Sequence, residues 1–256
     1  MKRKNQDDSE TVQAAIAQTT LPKRTIIITG ANRGIGLEFT KRYISKGWNV
    51  IAASRSPDSI PLASLPGLYK SVHLDMSSLE SISAFAQSIG AQTPINLLIN
   101  NAGILPCPSH ESNLQTLSTD MIYAFKVNAM GPHLLSLSLH KNLCLASTAS
   151  NPSVVVNVTS RMGSIDDNTS GSYHAYRASK TALNSLTRSL AIDWVDDGIS
   201  VVLVHPGYVK TGMSPGGIVS TKESVDGMVR VIERAGQSEG GMSGKFYHFE
   251  GNELPW

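Results

Sequence analysis

The sequence predicts one α/β domain, a doubly wound parallel sheet with helices on both faces. Three observations predict it. Short β-branched runs alternate with helical stretches, the first run ends in a glycine-rich turn, and no linker or internal repeat divides the 256 residues. Strand alternating with helix means βαβ units, which build parallel sheets. A chain of about 250 residues suits one such domain.

The elements follow in order. Arg24–Thr29 is an apolar, β-branched run that stops at Gly30, as a strand buried on both faces would. Leu37–Ser45 has helical spacing and Gly47 stops it. Asn49–Ala53 is a second strand, and Val72-His73-Leu74 a third that ends at Asp75. Ser77 and Ser78 are candidate caps for a helix over Leu79–Ile89. Ile95–Ile99 is a fourth strand, and a long helical stretch covers 120–145. Val154–Val158 is a fifth strand, followed by a polar loop and a helix from Tyr176 to Val195. Ser200–Val204 is a sixth strand, a helix begins by Glu223, and Lys245–Phe249 is the last strand. The architecture is Rossmann-type. Residues 1–23 read as a tail and 24–256 as the domain. The tail has Lys2, Arg3 and Lys4 but then Asp7, Asp8 and Glu10 in place of an apolar segment, so no targeting segment is expected and the cytoplasm is.

Composition excludes several classes. Hydrophobic residues reach 41%, enough for a sizeable core. A net charge of +2 makes no electrostatic case for nucleic acid. No segment approaches the ~18 apolar residues of a membrane span. Cys107 and Cys144 are too few for a disulfide scaffold, and the seven histidines lack ligand spacing, so no metal is expected.

Ligands of such sheets bind at the carboxyl ends of the strands. There the first strand leads into Gly30-Ala31-Asn32-Arg33-Gly34-Ile35-Gly36. Glycines at these spacings let backbone N–H groups approach a pyrophosphate, and the helix that follows offers its N-terminus to the charge. A dinucleotide is the expected ligand. The second strand ends in Ser54-Arg55, where a cofactor lacking the 2′-phosphate would call for Asp or Glu. With Arg33 in the loop, two guanidinium groups are available for a 2′-phosphate, which predicts NADP(H).

Tyr176 and Lys180 are four residues apart on a helix and so share a face. An ammonium beside a phenol favours the phenolate, which predicts a tyrosine pKa below its usual value of about 10. Such a tyrosine exchanges protons near neutral pH.

From Lys23 to near the last residue the chain resembles the short-chain dehydrogenase/reductase superfamily. The matching segments stand in that family's order. They are Thr29-Gly30 with Gly34-Ile35-Gly36, Asp75, Asn100-Asn101-Ala102-Gly103, Asn128, Thr159-Ser160, Tyr176 with Lys180, and Pro206-Gly207-Tyr208-Val209-Lys210-Thr211. Ser160–Ile165, Tyr176–Lys180 and Glu253–Trp256 are similar to the C-factor and sniffer-type carbonyl reductase branch.

The resemblance implies an NADPH-dependent reduction of an aldehyde or ketone. It makes Tyr176 the general acid, while Lys180 tunes it and bonds the nicotinamide ribose. It gives Ser160 the carbonyl oxygen, and Asn128 a water that links Lys180 to solvent. Asp75 and Met76 would meet the adenine. Asn101, Ala102 and Gly103 would line the adenosine ribose, and Pro206, Val209 and Thr211 the nicotinamide carboxamide and phosphate. Homodimers or homotetramers, packed through 120–145 and the Tyr176 helix, are also implied. Plainer readings stand beside these. Asn100 or Asn101 caps a strand end, Asn128 serves a helix kinked before Gly131-Pro132, and Pro206-Gly207 is first a turn.

The chain departs from the family in one spacing. Ser160 lies sixteen residues before Tyr176, not about thirteen, and the thirteenth is Gly163. A three-residue insertion within 166–172 keeps Ser160 as the serine, with Ser164 as the alternative. The stretch 212–220 is short and glycine-rich, which predicts an open substrate mouth. Alcohol oxidation by the same residues remains open, as does an NADP(H)-binding signalling protein of the C-factor type.

Overall fold

The computed structural model describes residues 23–60, 65, 67–148, 150–237 and 241–256. All but Lys23 of the expected tail lies outside them. Seven parallel strands form one sheet in the order β3-β2-β1-β4-β5-β6-β7. They are β1 (Thr25–Thr29), β2 (Asn49–Ser54), β3 (Leu68–His73), β4 (Leu97–Asn100), β5 (Ser153–Val158), β6 (Ile199–His205) and β7 (Phe246–His248). The helices are α1 (Gly34–Ser45), α2 (Leu79–Ile89), α3 (Leu114–Phe125), α4 (Gly131–Ser138), α5 (His140–Ala146), α6 (His174–Asp193) and α7 (Thr221–Ala235).

The β-branched runs are apolar on both faces because both faces are covered. Ile26, Ile28, Val50 and Val156 pack with Phe39 of α1 and Met228 of α7. Ile27, Ile51, Leu98 and Val155 pack on the other face with Phe85 of α2, Leu135 of α4 and Leu190 of α6. Each fully buried isoleucine adds about 2–3 kcal/mol by this burial. Ser78 caps α2 by accepting from Ser81 N–H at 3.1 Å.

The long helical stretch expected over 120–145 is corrected. Its helix starts earlier, at Leu114, where Asn113 accepts from Thr116 N–H. It passes through a π-turn at Lys126–Met130 and breaks at Leu139. Pro132 explains the π-turn: it has no N–H to donate to the Asn128 carbonyl one turn back. Strand β3 begins four residues before its expected start. It is the sheet edge, and Tyr69 and Lys70 there are exposed, so the apolar pattern is weak.

The chain leaves β1 toward β2 on one side and returns to β4 on the other. The β1/β4 boundary is therefore the switch point where a crevice opens at the carboxyl ends. A buried polar seam stiffens it. Asn100 donates to Asn157 Oδ1 at 2.8 Å, and Asn157 donates to Thr187 Oγ1 at 2.8 Å.

Candidate active site

The crevice holds a cavity of about 600 Å³. Its floor is the glycine loop between β1 and α1. Gly30 has φ +65°, a conformation that glycine adopts without strain. A Cβ on Gly36 would overlap the Gly30 carbonyl, so the chain closes tightly there. Arg33 stands at the α1 N-cap with no side-chain hydrogen bond to the helix, which leaves the first amides for an anion. Asn101 holds the loop from β4: its Nδ2 donates to the Thr29 carbonyl at 2.9 Å. Thr29 Oγ1 accepts from the Asn101 and Ala102 N–H groups. The strand-capping reading of Asn101 thus describes its side chain, although the residue also lines the cavity.

One end of the cavity is cationic. Arg33 and Arg55 line it, both exposed, with Arg55 3.4 Å from the Tyr123 hydroxyl. Ser54 lies beside them, and its buried hydroxyl has no partner among the described residues. Asn32 donates to Ser59 at 3.0 Å across this rim. Burial pushes the Asp75 carboxyl up, but Ser77 N–H and hydroxyl bonds and the nearby Arg55 and His73 bring it below its ordinary value. Asp75 and Met76 both line the wall.

Tyr176 and Lys180 line the other end, from the first turns of α6. Lys180 Nζ lies 5.9 Å from the centre of the Tyr176 ring and donates to the Val158 carbonyl at 2.9 Å. Burial lowers the ammonium to about 8. Burial also raises the Tyr176 phenol to about 12, and a hydrogen bond with Ser160 pulls it back only in part. The lowered phenol expected from sequence is therefore corrected: in the protein alone desolvation dominates, and what offsets it is the Ser160 hydrogen bond.

Ser160 is buried and its Oγ accepts from Met162 N–H at 3.1 Å, which starts the turn Arg161–Gly163. Ser164 instead caps Asp167 N–H at 3.1 Å. Gly163 is needed for packing, since a Cβ there would come 2.9 Å from the Lys180 backbone. Asn128, inside the π-turn, spends its amide on the Ile104 N–H and C=O and on Ser179 Oγ. A Cβ on Gly103 would lie 3.2 Å from Asn128 Oδ1 and 3.7 Å from Lys180 Nζ, so Gly103 packs closely against both groups.

The polar loop after β5 is tightly held. Gly171, Ser172 and Tyr173 are all left-handed, with φ of 63°, 55° and 56°. Arg177 Nε donates to the Gly171 and Ser172 carbonyls at 3.1 and 2.9 Å, and its Nη2 to Ser170 Oγ at 2.9 Å. Tyr173 gives α6 no side-chain cap. Glu111 takes that place, accepting from His174 N–H at 2.5 Å and from Ser172 Oγ at 3.1 Å.

A family model described as short chain dehydrogenase matches residues 24–217. The chain belongs to the short-chain dehydrogenase family. C-signal of Myxococcus xanthus is 38% identical over 176 residues, covering 68% of this chain and 99% of that protein. The NADPH-bound carbonyl reductase from chicken fatty liver superposes with a TM-score of 0.81 at 34% identity, covering 91% and 99% of the two chains. Carbonyl reductase Sniffer of D. melanogaster does so with 0.82 at 27% identity, covering 91% and 100%.

In this short-chain dehydrogenase the cavity gathers most of the expected cofactor residues: Gly30, Asn32, Arg33, Gly34, Ile35, Arg55, Asp75, Met76, Asn101, Ala102, Gly103, Tyr176, Lys180, Pro206 and Thr211. Gly36 and Val209 do not line it. Gly36 packs beneath the loop, and Val209 is buried where it pairs with Val219. Ser160 and Asn128 reach the site only through Tyr176 and the Lys180 neighbourhood. Leu74, Tyr123 and Val127 line the walls without a sequence signal that marks them. The stretch 212–220 folds back on Tyr208, whose carbonyl accepts from Ile218 and Val219 N–H. It leaves Ile218 86% exposed, outside the cavity.

Proposed function

We propose that this chain reduces the carbonyl group of an aldehyde or ketone, with NADPH as cofactor and Tyr176 as general acid. One observation carries the reading: a single cavity joins the arginine pair to Tyr176 and Lys180. The NADP(H) bound to several similar proteins supports the choice of cofactor, as does the glycine cradle. The bound cofactor supplies the hydride.

The protein supplies position, charge and the proton. Arg33 and Arg55 hold the 2′-phosphate through charge-assisted bonds. Ser160 hydrogen-bonds the carbonyl oxygen and polarises it. Tyr176 keeps its proton through the neutral range and gives it to that oxygen as negative charge develops. Lys180, mostly charged below about pH 8, steadies the phenolate left behind. A water between Asn128 and Lys180 returns the proton. Ile122, Phe125, Leu137 and Ile192, exposed apolar residues on α3, α4 and α6, support a homo-oligomer.

The test is NADPH oxidation across a panel of aldehydes, ketones and quinones, repeated with Tyr176→Phe. The variant should lose about 10²–10⁴-fold in turnover and still bind NADPH. Wild-type turnover in the variant, or no turnover of any carbonyl by the wild type, refutes the proposal. The likeness to C-signal favours a second reading, a nucleotide-binding signalling protein. Biological output unchanged by Tyr176→Phe would select it.

A further inference from the structure

We propose a divalent-metal site, suited to Zn²⁺, made by His140, Cys144 and Asp197. It lies at the amino ends of β5 and β6, across the sheet from the cavity. His140 and Cys144 are four residues apart on α5 and so face the same way. Asp197 comes from the turn that leads into β6, and the three ligand atoms all lie within 4.8 Å of one another.

The distances suit a tetrahedral ion. His140 Nε2 and Cys144 Sγ are 3.5 Å apart. A nitrogen and a sulfur on one tetrahedral Zn²⁺ are separated by about 3.5 Å. His140 Nε2 and Asp197 Oδ2 are 2.8 Å apart, a hydrogen bond. A shared Zn²⁺ asks for about 3.3 Å there, a half-ångström opening. The Asp197 side chain, 39% exposed, has room to make it. Water completes the fourth position.

The site is held in advance. His140 stacks on Trp194, with centroids 4.7 Å apart, which fixes the imidazole. Ser147 Oγ donates to the Gly198 carbonyl and ties the end of α5 to the Asp197 turn. A His140–Asp197 ion pair alone has no use for a thiol against the same nitrogen. On binding, the Cys144 S–H gives its proton to solvent and an S–Zn bond forms, so affinity rises with pH. Burial first, then the Asp197 charge, holds that thiol above its ordinary value, and a cation reverses both effects. Sequence spacing alone misses the site because Asp197 lies far along the chain.

Co²⁺ is the probe, added to the reduced, metal-stripped full chain. A thiolate-to-metal band in the near ultraviolet with tetrahedral bands in the visible is expected, and Zn²⁺ should displace both. Cys144→Ser should abolish the thiolate band. His140→Ala and Asp197→Asn should weaken binding at least about tenfold. Cys107→Ser should change nothing, and NADPH binding should be unaffected in all four variants, which also shows that they fold. No band at millimolar Co²⁺ overturns the proposal. So does a band kept by Cys144→Ser or lost with Cys107→Ser.

Discussion

Replacing Lys180 with methionine should stabilise the fold at neutral pH, and the gain should vanish in alkali. Lys180 is 4% exposed, and its one hydrogen bond among the described residues goes to the Val158 carbonyl. Burial takes its pKa from 10.5 to about 8. A tenfold change in proton affinity is worth about 1.4 kcal/mol, so holding the charge at pH 7 costs the fold about 3 kcal/mol. Below pH 8 the folded and unfolded chains both carry the proton, and the cost is full. Between pH 8 and 10.5 the folded chain sheds it first, and the cost fades. Methionine carries no charge but leaves the Val158 carbonyl unpaired, a loss of about 1–2 kcal/mol. The variant should therefore be about 1–2 kcal/mol more stable than the wild type at pH 7, with the advantage gone by about pH 10. Urea unfolding of both proteins, followed by tryptophan fluorescence in steps across this range, measures the difference. Other titrating groups cancel between the two proteins. A difference that stays flat with pH would refute the reasoning, since it would mean that Lys180 keeps an ordinary pKa in the fold.

Ser160→Ala should cut carbonyl reduction by about 10²–10³-fold, as loss of an oxyanion donor does, while Ser164→Ala leaves turnover near wild type. The reverse pattern would move the role to Ser164. The double variant Arg33→Ala/Arg55→Ala should weaken NADPH by about 10²-fold or more and leave NADH little changed, read by fluorescence titration. Equal losses for both nucleotides would remove the 2′-phosphate from the account. Gly163→Ala should destabilise by about 1–3 kcal/mol, because its new Cβ meets the Lys180 backbone at 2.9 Å. An unchanged melting temperature would show that α6 has slack there.

The sheet was legible because its central strands are buried on both faces and spell out runs such as Ile26-Ile27-Ile28. The edge strand β3 was only half legible, since Tyr69 and Lys70 face water and carry no apolar signal. The helix over 120–145 hid two interruptions. Gly131-Pro132 marked one of them, but a π-turn depends on hydrogen bonds that spacing does not encode. The placement of the glycine loop, Arg55 and the Tyr176–Lys180 pair followed from local order along strands and helices. The tyrosine pKa did not, because charge proximity can be read from spacing whereas desolvation depends on everything packed around the ring. Glu111 was invisible for a related reason. It caps α6 from a distant segment, and only the tertiary fold brings it there.

The clamp on Gly171–Tyr173 ties the loop after β5 to the helix that carries Tyr176. A left-handed non-glycine residue costs about 1–2 kcal/mol, so Ser172 and Tyr173 keep that shape only while Arg177 and Glu111 hold them. Arg177 is the next residue after Tyr176, and Glu111 seats the first turn of the same helix. Residues from Ser170 onward are therefore tied to the helix that carries the phenol. The stretch before Ser170 is held elsewhere, with Asp166 N–H on the Trp256 carbonyl and Asp167 on Ser164 and Arg161, so a change in its length should leave Tyr176 in place. An insertion among residues 166–169 should therefore spare the position of the phenol, while one among residues 171–174 should displace it.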